Sequence, residues 1–409
     1  MTGSDSARRR ASSAPESATV VSLRRTNRAH VLRQIVLAGQ TTRATIARDT
    51  GLSLASATHL VSELIAEGLV IEAGSKASRG GRPITLIEPR PDGAYFIGAD
   101  VGERGVAVEL FDLTMTRVDR EFRGGREPEA PEDIAHDLDD AIEALRERNP
   151  RAWRHLVGAG LGLPGIVETE ADGRQVLYAQ SLAWPPVGIA DLVSHDLPVH
   201  AENGAKTQAK AEQWFGAARG VDYAVVVLLG RGVGLGIIAG GSLQYGSTSS
   251  AAEWGHLKIE RNGRRCRCGA RGCVEAYVGA DAILSAWAAA GGRFEGTGWH
   301  ALGALLDAAE AGDRAASGVV DDLVDTLGVA LGGLVNLANP QRVVVGGWVG
   351  LRLMESLAGR IDDAVRANAL ARPGSQYELL PATFGGDTVA VGAAIMPLET
   401  IIHAPRVAD

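Results

Sequence analysis

Apolar positions in the first ninety residues change their spacing twice, and each change marks an element. Over residues 26–38, Val31, Leu32, Ile35 and Val36 fall on one helical face. Thr42 can cap a second, short helix that turns Ile46 and Ala47 inward. Asp49-Thr-Gly51-Leu-Ser53 reads as a tight turn, with Ser53 capping a third helix that runs to about Glu67. Ala57, Leu60, Val61 and Leu64 form the buried side of that helix. Residues 69–88 switch to two short apolar runs around a Gly/Ser/Lys/Arg tip, the pattern of a β-hairpin. Together these elements predict a winged helix-turn-helix over residues 23–89. Residues 1–22 have Ser, Ala and Arg without apolar periodicity and are expected to be a disordered tail.

A stiff Pro89-Arg-Pro91 linker separates this head from a body that opens near Tyr95 with the strand Phe-Ile-Gly-Ala-Asp100-Val-Gly102. A chain of 409 residues exceeds what one core usually supports, so two or three domains are expected. No run of about 18 apolar residues is free of charge, which predicts no membrane span. The N-terminus also lacks the apolar core of a signal peptide, so a cytoplasmic, nucleoid-associated location is expected.

Charge sharpens the division. Residues 1–90 carry 13 Lys and Arg against 7 Asp and Glu, whereas the remainder carries 28 against 42. A basic head on an acidic body points to a polyanionic partner, here operator DNA, rather than a helical module for protein contacts alone. The candidate base-reading residues are Ser53, Ala55, Ser56, Thr58 and His59 at the start of the third helix. That face has no Arg or Lys, so readout there relies on short contacts. In the wing tip, Arg79, Gly80, Gly81 and Arg82 put two guanidinium groups on a narrow backbone suited to an A·T-rich minor groove.

All three cysteines of the chain, Cys266, Cys268 and Cys273, lie within eight residues, and His256 stands ten positions before the first. Three thiolates and one imidazole on a short loop suit tetrahedral zinc. Gly269 and Gly272 let the loop turn tightly enough to converge the sulfurs. Four protein ligands leave no position for a catalytic water, so the expected role is structural and a zinc-dependent hydrolase is disfavoured.

The flanking segments are Glu202-Asn203-Gly204, then Gly230-Arg-Gly232-Val-Gly234-Leu-Gly236, Glu253-Trp-Gly-His256 and Gly-Cys273-Val-Glu275. In this order and spacing, residues 90–409 resemble the family of bacterial repressors and sugar kinases known as ROK. The resemblance implies an α/β fold: a two-lobed actin-like (ribonuclease H-like) ATPase/sugar-kinase body behind the winged helix-turn-helix. It places the first lobe at 90–206 together with the C-terminal helix of 387–409, and the second, with the zinc loop, at 207–386. It also implies a sugar in the cleft, held by Asn203, Glu253, His256 and Glu275, with Trp184 offering an apolar face and the last helix packing on the first lobe.

Kinases of the family read Glu-Asn-Asp where this chain has Glu202-Asn203-Gly204, and the Asp is their general base. The first phosphate turn is also altered, to Asp100-Val-Gly102-Glu103-Arg104-Gly105, and Arg231 replaces a small hydroxyl residue in the second. No catalytic residue is therefore assigned. The expected protein is a dimeric, or dimer-of-dimers, DNA-binding regulator, a repressor, that senses a sugar or sugar phosphate. The alternatives are a glucokinase-like ROK kinase with an attached head, and a regulator controlled by a protein partner.

Overall fold

The computed structural model describes residues 20–77, 83–102, 105–125 and 130–403. The chain divides into two compact units, one formed by residues up to 88 with those from 400 on, the other by residues 89–399.

The first unit holds helices α1 (Val20–Ala38), α2 (Arg43–Thr50) and α3 (Leu54–Ala66), followed by strands β1 (Val70–Lys76) and β2 (Ile84–Pro89). The Thr42 hydroxyl accepts from the Thr45 amide to cap α2, and Ser53 accepts from the Ser56 amide to cap α3. Gly51 ends α2 at φ 70°, the left-handed conformation that permits the sharp turn into α3. Val31, Leu32, Ile35, Ile46, Val61 and Leu64 close the core between the helices, and Ile87 of β2 joins them. The strands pair as a two-stranded sheet, and Thr41 adds a bridge to Ile87. These elements form a helix-turn-helix with a hairpin wing. The wing tip, residues 78–82, lies outside the described residues.

In the second unit, β3 (Tyr95–Gly102), β4 (Gly105–Asp112) and β5 (Arg117–Gly124) form an antiparallel meander. Helix α4 (Pro131–Arg148) then crosses to β6 (Leu156–Leu163), which pairs parallel to β3. A small sheet of β7 (Ile166–Thr169), β8 (Gln175–Tyr178) and β9 (Val187–Gly188) precedes β10 (Val199–Asn203), parallel to β6. Helix α5 (Gly204–Phe215) leads to a second meander, β11 (Ala224–Leu229), β12 (Val233–Ala239) and β13 (Ser242–Leu243). Helices α6 (Glu275–Val278), α7 (Ala280–Ala289), α8 (Gly298–Glu310) and α9 (Arg314–Ala338) follow. Strand β14 (Arg342–Gly346), helices α10 (Gly347–Asn368) and α11 (Ala371–Gly374), strand β15 (Glu378–Pro381) and helix α12 (Thr388–His403) complete the chain.

The two main sheets repeat one plan. Their orders are β10-β6-β3-β4-β5 and β13-β12-β11-β14-β15, each an antiparallel meander extended by two parallel strands. Parallel additions need a crossover: α4 supplies it for β6 and the small β7–β9 sheet for β10, whereas helices supply both in the second sheet. Each sheet has its own apolar core. The second and larger one gathers Val227, Val345, Leu331 and Leu353; the first gathers Ile97, Val108, Leu138 and Leu161.

Helix α12 begins in the second unit and ends in the first. Its early turns lie directly on the first sheet, because Gly98 and Gly160 leave room for the helix backbone. A Cβ on Gly160 would stand 1.9 Å from the Ala393 carbonyl oxygen, and one on Gly98 2.0 Å from that of Ala390. Its last carbonyls, within the first unit, accept from arginines of α1: Arg25 donates to His403 O (2.7 Å) and Arg28 to Ile401 O (3.1 Å). Arg28 and Arg24 also pair with Glu67 and Glu63, tying α1 to the end of α3.

Candidate functional site

Ligands in open sheets bind beyond the carboxyl ends of parallel strands and at the turns between strands. Both features converge here on one cleft of about 1050 Å³. The β3–β4 turn contributes Gly102 and Gly105, and the β11–β12 turn contributes Gly230, Arg231 and Gly232. Residues 103 and 104 lie outside the described residues, so the altered charge expected in the first turn has no structural description.

Asn203, Glu253, His256 and Glu275 all line this cleft. Their side chains differ in what remains free. Asn203 caps α5, accepting from the Ala205 amide (2.9 Å), while its Nδ2 donates to the Gly165 carbonyl (2.8 Å). It therefore welds the Gly162–Gly165 loop to the helix. Glu275 is 6% exposed and accepts from the Val233 amide (3.2 Å), with Arg267 3.6 Å away. Glu253 makes no side-chain hydrogen bond to the described residues. Burial raises its carboxyl above the usual range, opposed by the nearby His256 and Lys206. Glu253 is the acceptor most available to a ligand.

Gly204 opens α5 on the cleft wall, and a Cβ there would make only ordinary contacts, the nearest 3.7 Å from Leu163 O. Behind it lies a polar triad that the sequence reading missed. Lys206, 1% exposed, donates to the Ser249 carbonyl and lies 3.6 Å from Glu202. The Ser249 hydroxyl closes the triad on Glu202 (3.1 Å). Glu202 sits at the end of β10 and Lys206 at the start of α5, so their spacing is not that of a helical i, i+4 pair, and nothing in the sequence links either to Ser249. His200 is absent from the cleft lining; burial lowers its pKa, and it faces Glu399 and Lys210. Trp184 corrects an expectation: it packs on the first core and is not among the lining residues, which include Tyr178, Phe122, Phe294 and Trp348 instead.

The Cys–His loop folds at the cleft edge. His256, Cys266, Cys268 and Cys273 bring one donor atom each within 4.8 Å of the others, a set that can hold a metal ion. His256 turns Nδ1 toward Cys266 Sγ (3.8 Å), and the Cys268 and Cys273 sulfurs are also 3.8 Å apart. Gly272, at φ 77°, fits only because it lacks Cβ, which would meet the Glu260 carbonyl oxygen at 1.7 Å.

On the first unit, Ser53, Ala55, Ser56 and His59 are exposed on α3, and Thr58 is partly so. Three of them are already engaged. The Ser53 hydroxyl caps the helix and lies 2.9 Å from the Ser56 hydroxyl, and His59 Nε2 lies 3.0 Å from Glu63 and 3.2 Å from Arg24. Arg79, Gly80, Gly81 and Arg82 belong to the wing tip outside the described residues. No helix among the described residues is long and apolar enough to cross a membrane.

Two sheets of one strand order around a shared cleft define an actin-like, two-lobed body, here behind a winged helix-turn-helix. A sequence profile of the ROK family matches residues 96–400, and the chain belongs to that family. It is 26% identical over 382 residues to a xylose repressor of Bacillus subtilis, spanning 92% of this chain and 96% of the relative. A glucokinase of Halalkalibacterium halodurans is 29% identical and covers 73% of this chain and 93% of itself. A solved ROK transcriptional regulator, a homologue of the Escherichia coli MLC protein, shares the fold with a TM-score of 0.73, at 24% identity over 93% of this chain and 97% of the other.

Proposed function

We propose that the protein is a sugar-responsive transcriptional repressor that binds operator DNA through α3 and the wing, and whose cleft senses a sugar or sugar phosphate without phosphorylating it. One observation carries the reading: a cleft lined by Asn203, Glu253, His256 and Glu275 follows a helix-turn-helix head, while Gly204 stands where kinases of the family carry their base. The xylose repressor aligns over 92% of the chain, whereas the glucokinase leaves about a quarter of it unmatched. A general base must reach the reacting hydroxyl to about 3 Å, and glycine has no atom to do so; losing such a base costs about 10²–10⁴-fold in rate.

In the cleft, Glu253 accepts from sugar hydroxyls, and His256 presents its second ring nitrogen. Asn203 and Glu275 position the walls: Asn203 spends its polar atoms on the backbone, and Glu275 divides its oxygens between the Val233 amide and the Cys266 and Arg267 side chains. The ion we assign to the Cys–His loop is zinc. A tetrahedron with Zn–S bonds of about 2.3 Å and a Zn–N bond of about 2.0 Å has edges of about 3.5–3.8 Å; the Cys268–Cys273 and His256–Cys266 donor pairs, each 3.8 Å apart, come close to this, within a set that spans up to 4.8 Å. Zinc would fix the His256 ring and hold the loop closed, with no role in chemistry. In the head, Ala55, Ser56, Thr58 and His59 meet base edges, with Ser53 at the helix start and Arg79, Gly80, Gly81 and Arg82 in the minor groove. A cytoplasmic protein acting as a homodimer, or a dimer of dimers, fits this role.

Fluorescence anisotropy of a labelled fragment from upstream of its own gene, titrated first with protein and then with a sugar panel, tests the proposal. One sugar should release the DNA, and Glu253→Gln should raise the concentration required by about tenfold or more. Release that is unchanged in Glu253→Gln would remove the cleft from the mechanism. ATP-dependent phosphorylation of that sugar would restore the kinase reading.

A further inference from the structure

The metal loop carries a charge pattern that sugar recognition does not use. The body is acidic, yet Lys258, Arg261, Arg264, Arg265, Arg267 and Arg271 crowd into residues 258–271. A second cavity, of about 450 Å³, opens between this loop and α7. Four arginines, Arg231, Arg264, Arg265 and Arg267, line it against two carboxylates, Glu275 and Asp281. Ala282, Ala286 and Ala289 of α7 keep the floor small and apolar, and Ser285 adds a hydroxyl.

The pairing is incomplete. Arg231 holds Asp281 at 2.8 Å, and Arg267 lies 3.6 Å from Glu275. Arg264 stacks on the Tyr277 ring at 4.6 Å, and Arg265 has no side-chain partner among the described residues. Two guanidinium groups therefore face the cavity without a carboxylate. Neutralising the thiolates does not account for them, because Lys258 already donates to Cys273 Sγ (2.7 Å). The backbone is also preset: Arg265 bridges Arg271, with Cys266 and Cys268 between them, and Lys258 bridges Cys273. A guanidinium fork on a fixed loop matches phosphate oxygens, and a preset cation cluster keeps its affinity from being spent on ordering.

We propose that this cavity is an anion subsite for the phosphate group of a phosphorylated small molecule. It shares Arg231, Arg267, Glu275, Asp281 and Ser285 with the large cleft, so one ligand can extend from the cleft into it. The inference rests on the cleft being a sugar sensor only for that last point; the anion site itself does not depend on it.

The test is calorimetric titration of the zinc-loaded full-length protein with inorganic phosphate, a hexose 6-phosphate and the matching neutral hexose. The comparison protein is Arg264→Gln/Arg265→Gln. At least one phosphate-bearing probe should bind, and the double variant should weaken that binding by about ten- to hundredfold. Neutral hexose binding, zinc content and melting temperature should stay the same, and Arg264→Lys/Arg265→Lys should retain part of the phosphate affinity. Tighter binding of the hexose phosphate than of inorganic phosphate assigns the subsite to a phosphorylated sugar. Equal binding assigns it to phosphate itself. Failure of both probes to bind at about 10 mM, or binding that the Gln variant leaves unchanged, overturns the proposal. A neutral hexose that does not bind counts against the sugar sensor alone.

Discussion

Gly204 and Cys268 show how much rests on single side chains. The wall at Gly204 has room for a Cβ, so the missing carboxylate is not a steric concession to the fold. What the position lacks is a proton acceptor, and the neighbouring polar groups are committed elsewhere: Lys206 and Glu202 to Ser249, Asn203 to its cap. The proposed metal ligands are the opposite case, since their donor atoms converge on one another. Replacing Cys268 by Ser substitutes a hard hydroxyl for a thiolate. Cys268→Ser is expected to lower bound zinc to under about half of the wild-type content and to lower the melting temperature, read by metal analysis and calorimetry. Unchanged zinc content in that variant would mean that Cys268 is not a ligand.

Among the elements, α12 bears the most constraint. It lies against two strands through Gly98 and Gly160, where the helix backbone occupies the space of a side chain. Gly160→Ala must push α12 off the sheet or bend β6, and is expected to cost at least about 1–3 kcal/mol in chemical denaturation. Arg28 presents the same kind of dependence within the first unit, where it is buried between Glu67 and the last carbonyls of α12. Arg28→Ala leaves Glu67 without its partner and those carbonyls without their donor. The expected loss is about 1–3 kcal/mol in the unfolding of the head, with weaker operator binding as the second readout. Helix α5 belongs to this scale as well. It buries Lys206, Thr207, Gln208, Lys210 and Glu212, a polar run that hydrophobic patterning alone would assign to a surface. Each is satisfied in place; Glu212, for instance, accepts from the Thr383 and Ala217 amides.

For the whole molecule, a repressor of this design requires the effector to prefer one arrangement of the protein, since equal affinity for two states shifts nothing. The proposed twofold dimer would present its heads to half-sites about one helical turn apart. Shifting one half-site by half a turn should therefore weaken binding to near the non-specific level in the same anisotropy assay. Retained affinity would point to independent heads.

Local spacing along the chain is enough to define the head and the Cys–His loop. Both depend on short-range spacing: Thr42, Gly51 and Ser53 cap and turn the chain within a few residues, and His256 with three cysteines closes a loop of eighteen. The resemblance to a known family carried the two-lobed body, and the matched profile agrees with the family; the cleft residues followed from the same resemblance. Tertiary structure alone decided which atoms of those residues remain free. Asn203 lines the cleft but spends its polar atoms on the backbone, Glu275 divides its oxygens between the Val233 amide and the Cys266 thiol, Trp184 packs on the first core, and Ser249 arrives from more than forty residues away to complete a polar triad. Hydrogen bonds between distant segments leave no period in a sequence, because each depends on the register of strands and helices that packing sets only once the whole fold is formed.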